Sequence, residues 1–187
     1  MKNYQITEWC HHFIREHVKP GDICIDATAG NGNDTQLLCE LVGEQGKVFA
    51  FDIQEKALEN TRNRLEKFAL SGRAEVIKDS HTNMGQYVEE ENVSCIVFNF
   101  GYLPGGDHAL ATHKDTSIAA IHEGLKLLKK GGMMSLCIYS GGDSGFEERD
   151  AILEELKKLD TKRYLVILTS YFNRPSDPPI PAMIIKL

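Results

Sequence analysis

The chain has 187 residues, a formal net charge of −6, 42% hydrophobic and 26% charged residues. That length allows one domain with a substantial core, residues 1–187 together, and the composition excludes a disordered or fibrous chain. No apolar run approaches the ~20 residues of a membrane span, and the first residues, Met1 to Gln5, lack the apolar stretch of a signal peptide. A cytoplasmic protein with no membrane partner is expected.

The cysteine count of five is odd, and no CxxC occurs, which disfavours disulfides and zinc. Cys24, Cys95 and Cys137 sit in apolar runs, as small buried hydrophobes do. Cys10, His11 and His12 are adjacent on a helix and point in different directions, so no metal site is expected there or elsewhere. The negative charge argues against a general nucleic-acid coat protein but leaves room for a local basic patch.

In chain order, Ile6–His17 reads as a helix ended by the Pro20-Gly21-Asp22 turn. A first strand covers about Asp22–Asp26. A glycine turn follows, then a helix over about Asp34–Leu41 with Gly43 as its stop. Lys47–Asp52 is a second strand. Glu55–Leu70 is a helix whose apolar face includes Ala57, Leu58, Thr61, Leu65, Phe68 and Ala69, with Gly72 as its stop. Ala74–Asp79 is a third strand, followed by a short helix over about Thr82–Glu89. Val93–Phe98 is the fourth strand, and a glycine-rich segment runs from Asn99 to Thr112.

The next helix spans about Thr116–Lys129, with Ile118, Ile121, Leu125 and Leu128 on one stripe. Lys126, Lys129 and Lys130 suit its negative end. Met133–Tyr139 is a fifth strand. Ser144 to Glu147 has capping-box spacing and opens a further helix. Tyr164–Tyr171 and Pro181–Leu187 close the chain as two strands. Strands alternating with helices imply a Rossmann-like, doubly wound, mostly parallel sheet. The final strand-loop-strand implies one antiparallel strand at or near its edge.

Ligands of such sheets sit beyond the carboxyl ends of the strands, where strand order reverses. The residues there are Asp26-Ala27-Thr28-Ala29-Gly30-Asn31-Gly32-Asn33-Asp34-Thr35, then Asp52, Asp79 and Asn99. Glycines let the backbone turn tightly and approach a ligand, and the following helix offers its positive end. Carboxylates at successive strand ends disfavour a pyrophosphate and suit a ligand with hydroxyls, amines and positive charge. Asp52 follows Gly30 by ~20 residues, the distance at which an acid holds ribose hydroxyls. NAD and S-adenosylmethionine both offer that ribose. A dinucleotide turn has a third glycine where this chain has Thr35, and no G-x-x-x-x-G-K-[ST] is present. The alternative is a tight turn with solvated strand-end acids.

The series Asp26-x-x-x-Gly30-x-Gly32, Asp52, Asp79 and Asn99 resembles class I S-adenosylmethionine-dependent methyltransferases over nearly the whole chain. The resemblance implies a seven-stranded sheet with its last strand antiparallel. It implies that the Asp26–Gly32 turn faces the methionine part, with Asn31, Asn33, Asp34 and Thr35 as polar neighbours. Asp52 would hold the ribose, Ile53 and Gln54 would lie beside the adenine, and Asp79 and Ser80 would border it. His81 begins the segment after the third strand and is expected to shape the cofactor pocket; the alternative is a surface histidine at a helix start. The wording of that turn, of Asp79-Ser80-His81 and of Asn99-Phe100-Gly101-Tyr102-Leu103-Pro104-Gly105-Gly106-Asp107 is similar to the YtqB-like group. Long labelled rRNA methylases, its members are understood as MnmM-type tRNA methyltransferases acting on 5-aminomethyl-2-thiouridine at the wobble position. The group's His-Pro-Gly-Gly-like turn is replaced here by Tyr139-Ser140-Gly141-Gly142, so no role for that histidine carries over.

Amino-directed methyltransferases often place an Asn/Asp/Ser-Pro-Pro-Tyr/Phe turn at the fourth strand's end. Here Asn99 and Tyr102 keep its first and last positions without the prolines. Asn99 would orient the amine, Tyr102 would stack on the base, and Asp107 or His108 would accept a proton, Asp107 being preferred. The alternative for Tyr102 is packing under its loop. Lys114, Arg149, Lys162 and Arg174 are candidate cations for an RNA partner, the tRNA anticodon region, and a homodimer would enlarge that surface. Competing functions are an rRNA or small-amine methyltransferase, a non-catalytic nucleotide- or RNA-binding protein, and a nicotinamide-dependent oxidoreductase.

Overall fold

The computed structural model describes residues 5–100, 113–140, 145–174 and 177–187. Its strands are β1 (Ile23–Asp26), β2 (Lys47–Asp52), β3 (Ala74–Lys78), β4 (Val93–Phe100), β5 (Leu128–Ile138), β6 (Tyr164–Leu168) and β7 (Ile180–Lys186). Its helices are α1 (Ile6–His17), α2 (Asn33–Val42), α3 (Glu55–Lys67), α4 (Lys114–Leu127) and α5 (Gly145–Lys158). The strands form one seven-stranded sheet in the order β3-β2-β1-β4-β5-β7-β6. β7 is antiparallel to both neighbours and lies between β5 and the edge strand β6. The expected antiparallel strand is therefore next to the edge. Order reverses between β1 and β4, which pair in parallel with Asp26 beside Val97. Among the described residues, no helix is long and apolar enough to cross a membrane.

Alternation along the strands assigns side chains to two cores. Ile25, Ile96, Phe98, Met134 and Leu136 face one cluster, with α4 and α5 residues such as Ile121 and Ile152. Cys24, Cys95, Val97 and Met133 face the other, with Ile14 of α1, Leu38 of α2 and Leu65 of α3. By the same period of two, Asp26 and Asn99 fall on the α1–α2 side. This decides which side chains they meet. All five cysteines are free and buried.

Several boundaries differ from the sequence expectation for local reasons. α3 stops at Lys67, and Phe68 is exposed rather than on the apolar face. Ala69 takes the left-handed conformation at φ 56°. Leu70 N–H then donates to Leu65 O at 2.8 Å and Ala69 N–H to Glu66 O at 3.0 Å, the paired closure usually built on glycine. Burial of Leu65 and Leu70 in one core holds this alanine there. The segment after β3 is a 3-10 turn, His81–Gln86, rather than an α-helix. α4 begins at Lys114, and Leu128, Lys129 and Lys130 belong to β5. Lys129 therefore does not serve the end of α4; its Nζ donates to Asp22 Oδ1 at 2.9 Å.

The carbonyls at the end of α4 are met from β7. Lys186 Nζ donates to Leu128 O at 2.7 Å and to Glu91 Oε1 at 3.0 Å. Lys186 is buried, so its removal takes a charged donor away from a desolvated carbonyl. Lys186→Met is expected to lower unfolding free energy by about 1–3 kcal/mol in urea titration. An unchanged midpoint would show that this contact contributes nothing.

Candidate active site

The turn after β1 ties three strands together. Ala27 N–H donates to Val97 O of β4 at 2.9 Å, and Ala29 N–H to Phe51 O of β2 at 2.9 Å. Gly30 N–H donates to Asp52 Oδ2 at 3.0 Å, and Gln54 N–H to Asp52 Oδ1 at 2.9 Å. Asp52 is thus fixed at the end of β2 by two backbone donors. Gly32 caps α2 at φ 74°, and a Cβ there would stand 2.9 Å from Thr61 Cα of α3. Both the backbone angle and the space demand glycine. Asn31 is turned toward α3: its Oδ1 accepts from Asn60 Nδ2 at 2.8 Å, and its carbonyl from Arg64 Nε at 2.7 Å.

Asp26 is fully buried at the end of β1. Its carboxyl accepts from the Thr35 hydroxyl at 2.5 Å and from Thr28 N–H at 3.2 Å. Burial first, and the nearby Asp34 carboxylate next, push its pKa from 3.8 to about 7. Thr35, standing where a dinucleotide turn has its third glycine, is thereby a donor to this acid.

Asp34, in the first turn of α2, faces into the crevice. Its Oδ2 accepts from Asn99 Nδ2 at 2.5 Å, and its Oδ1 is hydrogen-bonded to His11 Nε2 of α1. Asn99 N–H donates to Thr28 Oγ1 at 2.8 Å. Asn99 is therefore held by both backbone and side chain at the switch point. Adjacent to Asp34 and Asn99, a small recess under α1 is lined by Cys10, His11, Val97, Ser135 and Cys137. The three neighbours Cys10, His11 and His12 diverge: Cys10 is buried, His11 meets Asp34, and His12 stacks on Trp9.

At the other end of the crevice, Ile53 is exposed beside Asp52, and it offers an apolar wall. Asp79 accepts from Ser80 N–H at 2.7 Å, Asn83 Nδ2 at 2.7 Å and the Tyr87 hydroxyl at 2.9 Å. Donation from Asn83 and Tyr87 holds its pKa below 3.8. Ser80 caps the 3-10 turn by accepting from Thr82 N–H. The His81 ring lies 5.9 Å from that of Phe98, and burial, partly offset by the Ala27 backbone beside it, lowers its pKa from 6.5. These contacts bring Asp26, Ala27, Gly30, Asp34, Thr35, Asp52 and Asn99 together, and His81 adjoins them through Ala27. Asn33 opens α2 next to Asp34.

Sequence reasoning missed His11. Its place in the sequence offers only the part of a metal ligand, which helix geometry excludes, and only the packing of α1 across the sheet brings it to Asp34. Tyr102, Asp107 and His108 lie outside the described residues, as does Ser144. Lys114 pairs with Glu147, joining the first turns of α4 and α5 at the crevice end of the sheet. Arg149 lies 4.8 Å over the Phe146 ring and pairs with Asp150 at 2.8 Å. Lys162 precedes β6 and so stands at the opposite, amino end of the strands, away from the crevice.

The Asp26 shift has a sign. A carboxyl whose folded pKa is raised favours folding while protonated, and that contribution is lost as pH rises from about 3.8 to about 7. Asp26→Asn keeps the volume and removes the ionisation. Relative to wild type, its melting temperature is expected to gain several degrees between pH 4 and pH 7.5, measured by calorimetry. Parallel melting curves across that range would refute the raised pKa.

Comparison with known proteins places these features. Residues 48–185 match the family model described as "Putative rRNA methylase". The chain is 35% identical over 181 residues to a tRNA (mnm(5)s(2)U34)-methyltransferase, chloroplastic, of Arabidopsis thaliana, covering 92% of this chain. It spans 66% of that plant protein's length. The crystal structure of a putative rRNA-methylase from Clostridium thermocellum superposes with TM-score 0.96 at 44% identity, covering 100% of both chains. SMU.1697c, a putative methyltransferase from Streptococcus mutans in complex with SAH, gives TM-score 0.89 at 36% identity over 99% of each chain. With a seven-stranded methyltransferase sheet and a crevice built on Asp26, Asp52 and Asn99, this chain belongs to the family described as Putative rRNA methylase.

Proposed function

We propose that this chain transfers a methyl group from S-adenosylmethionine to an amine on a modified RNA base, the aminomethyl group of 5-aminomethyl-2-thiouridine at the tRNA wobble position. The observation that carries this reading is Asn99. Its Nδ2 is committed to Asp34, which leaves its carbonyl oxygen to accept from a substrate amine. Further support comes from the plant relative's activity on U34 and from the Streptococcus mutans relative's bound SAH.

The residues fit the cofactor. The Asp26–Gly32 turn would face its methionine part, with Asp34 and Thr35 behind it. Asp52, held by two backbone donors, presents remaining lone pairs to ribose hydroxyls. Ile53 and Gln54 would flank the adenine, with Asp79, Ser80 and His81 at its edge. Buried Asp26 and its acidic neighbours favour a cationic ligand. The cofactor supplies the electrophilic methyl; the protein supplies position.

An amine of this kind has a solution pKa near that of Lys, ~10.4, and attacks only when neutral. Its nitrogen lone pair forms the new N–C bond as the C–S bond breaks toward sulfur. Positive charge moves to nitrogen, which then loses a proton. In this reading the Asn99 carbonyl accepts an amine N–H and aims the lone pair. Tyr102 stacks on the base and Asp107 takes the proton. Phe146 and Arg149, with Lys114 beside them, would meet the anticodon region, since aromatic and guanidinium planes stack on unpaired bases. The chain would act as one domain, in the cytoplasm, as a homodimer. Methylation of rRNA is the second reading, and the family's description favours it.

A labelled-methyl assay on bulk tRNA and on ribosomes, followed by nucleoside mass spectrometry, tests the substrate. Label is expected in 5-methylaminomethyl-2-thiouridine; label confined to rRNA would overturn the tRNA assignment. Asn99→Ala is expected to lower kcat by about 100-fold with cofactor affinity nearly intact. Unaltered turnover would remove Asn99 from the mechanism. Phe146→Ala is expected to raise KM for tRNA roughly 10-fold, within the ~1–3 kcal/mol of a base stack, while cofactor Kd stays constant. Equal KM values would exclude Phe146 from the RNA surface.

A further inference from the structure

His11 has no part in the chemistry above, yet it reaches the centre of the crevice. It projects from α1, whose placement is secured by burial of Cys10 and Ile14 and by Trp9 Nε1 donating to Thr169 Oγ1 at 3.1 Å. The side chains of His11 and Asp34 are each only 13% exposed. The His11 Nδ1 lies 3.9 Å from Glu8 Oε1, so its other nitrogen is the one committed to Asp34.

Donor and acceptor chemistry fixes the sense of the chain. An ionised carboxylate only accepts. His11 therefore presents Nε2–H to Asp34 Oδ1, and Asn99 presents Nδ2–H to Asp34 Oδ2. With its NH2 drawn to Asp34, the Asn99 amide has its oxygen on the opposite side. If the amide turned over, its N–H would donate to the substrate nitrogen and occupy the lone pair that must attack. Orientation of this one amide thus separates an assisting group from an inhibiting one. Asp34 can impose it only while its own carboxylate is held, and the donor on Oδ1 is His11.

We propose that His11 is a positioning residue: through Asp34 it locks the Asn99 amide with its carbonyl toward the acceptor amine. The proposal rests on the reading of this chain as an amine methyltransferase. α1 would accordingly be part of the catalytic apparatus, although it precedes the cofactor turn in sequence and contributes no residue to the sheet.

Two measurements test it. The first is the side-chain amide of Asn99 in 15N–1H NMR spectra, assigned by its disappearance in Asn99→Ala. The wild-type pair of N–H signals is expected to be sharp and slow to exchange with water. In His11→Leu and in His11→Ala it should shift and exchange faster, and His11→Gln, whose amide can still donate to Asp34, should restore it. The second is steady-state methylation of tRNA. Both apolar variants are expected to lose kcat by about 10–100-fold with KM for tRNA and cofactor Kd unchanged, and His11→Gln to regain most of it. If the Asn99 amide is indifferent to the apolar variants, or if Gln restores neither signal nor turnover, the proposal is overturned. Should one apolar variant not fold, the other carries the same comparison. A wild-type protein that methylates no tRNA amine, yet shows the amide response, would refute the functional reading and leave the positioning of Asn99 by His11 standing.

Discussion

One stretch of backbone, Ala27 to Gly30, holds the carboxyl ends of β4, β1 and β2 in register. Its N–H groups donate to Val97, to Phe51 and to the Asp52 carboxylate. Each donor would otherwise be an unpaired group at the rim of a buried sheet, at a cost of about 1–3 kcal/mol. The turn must therefore pass close over the strand ends, and α3 closes on it from above at Thr61. Glycine at position 32 follows from that closure. The crevice exists because these constraints are met by the same few residues.

The acids around this turn are not equivalent. Asp26 is buried and drawn toward its neutral form. Asp52 is tied by two backbone donors, and Asp79 by a backbone N–H, an amide and a phenol that keep it ionised. Asp34 is held between two side chains from different elements. Asp26 and Asp79 thus fix the turns beside them, and in the proposed reaction Asp52 would recognise hydroxyls and Asp34 would orient Asn99. Environment rather than residue type assigns these parts.

The side of the sheet matters as much as its end. Asp26 and Asn99 both point toward α1 and α2, so the polar centre of the crevice is assembled from β1, β4, α2 and α1. On the opposite side, Phe98 and Phe100 stack at 5.0 Å and anchor the β4 end in a dry core. An apolar layer beneath and a polar layer above pack both sides of the β4 end and so fix the backbone at Asn99.

Much of this was legible in the chain itself. Period-two and period-3.6 patterns, with glycine and proline as punctuation, determined the strands, most of the helices and the crevice end, because burial on one side imposes those periods. The residue types at the strand ends pointed to a ribose-bearing, cationic cofactor. Local patterns could not place Ala69 in a left-handed turn, since only the shared core of Leu65 and Leu70 holds it there. They also assigned Leu128 and Lys129 to a helix that had already ended at Leu127. Above all they could not join His11 to Asp34 and Asn99, which are 23 and 88 positions away in the sequence. That junction depends on where α1 crosses the sheet, and a packing angle leaves no mark in the period of a single helix.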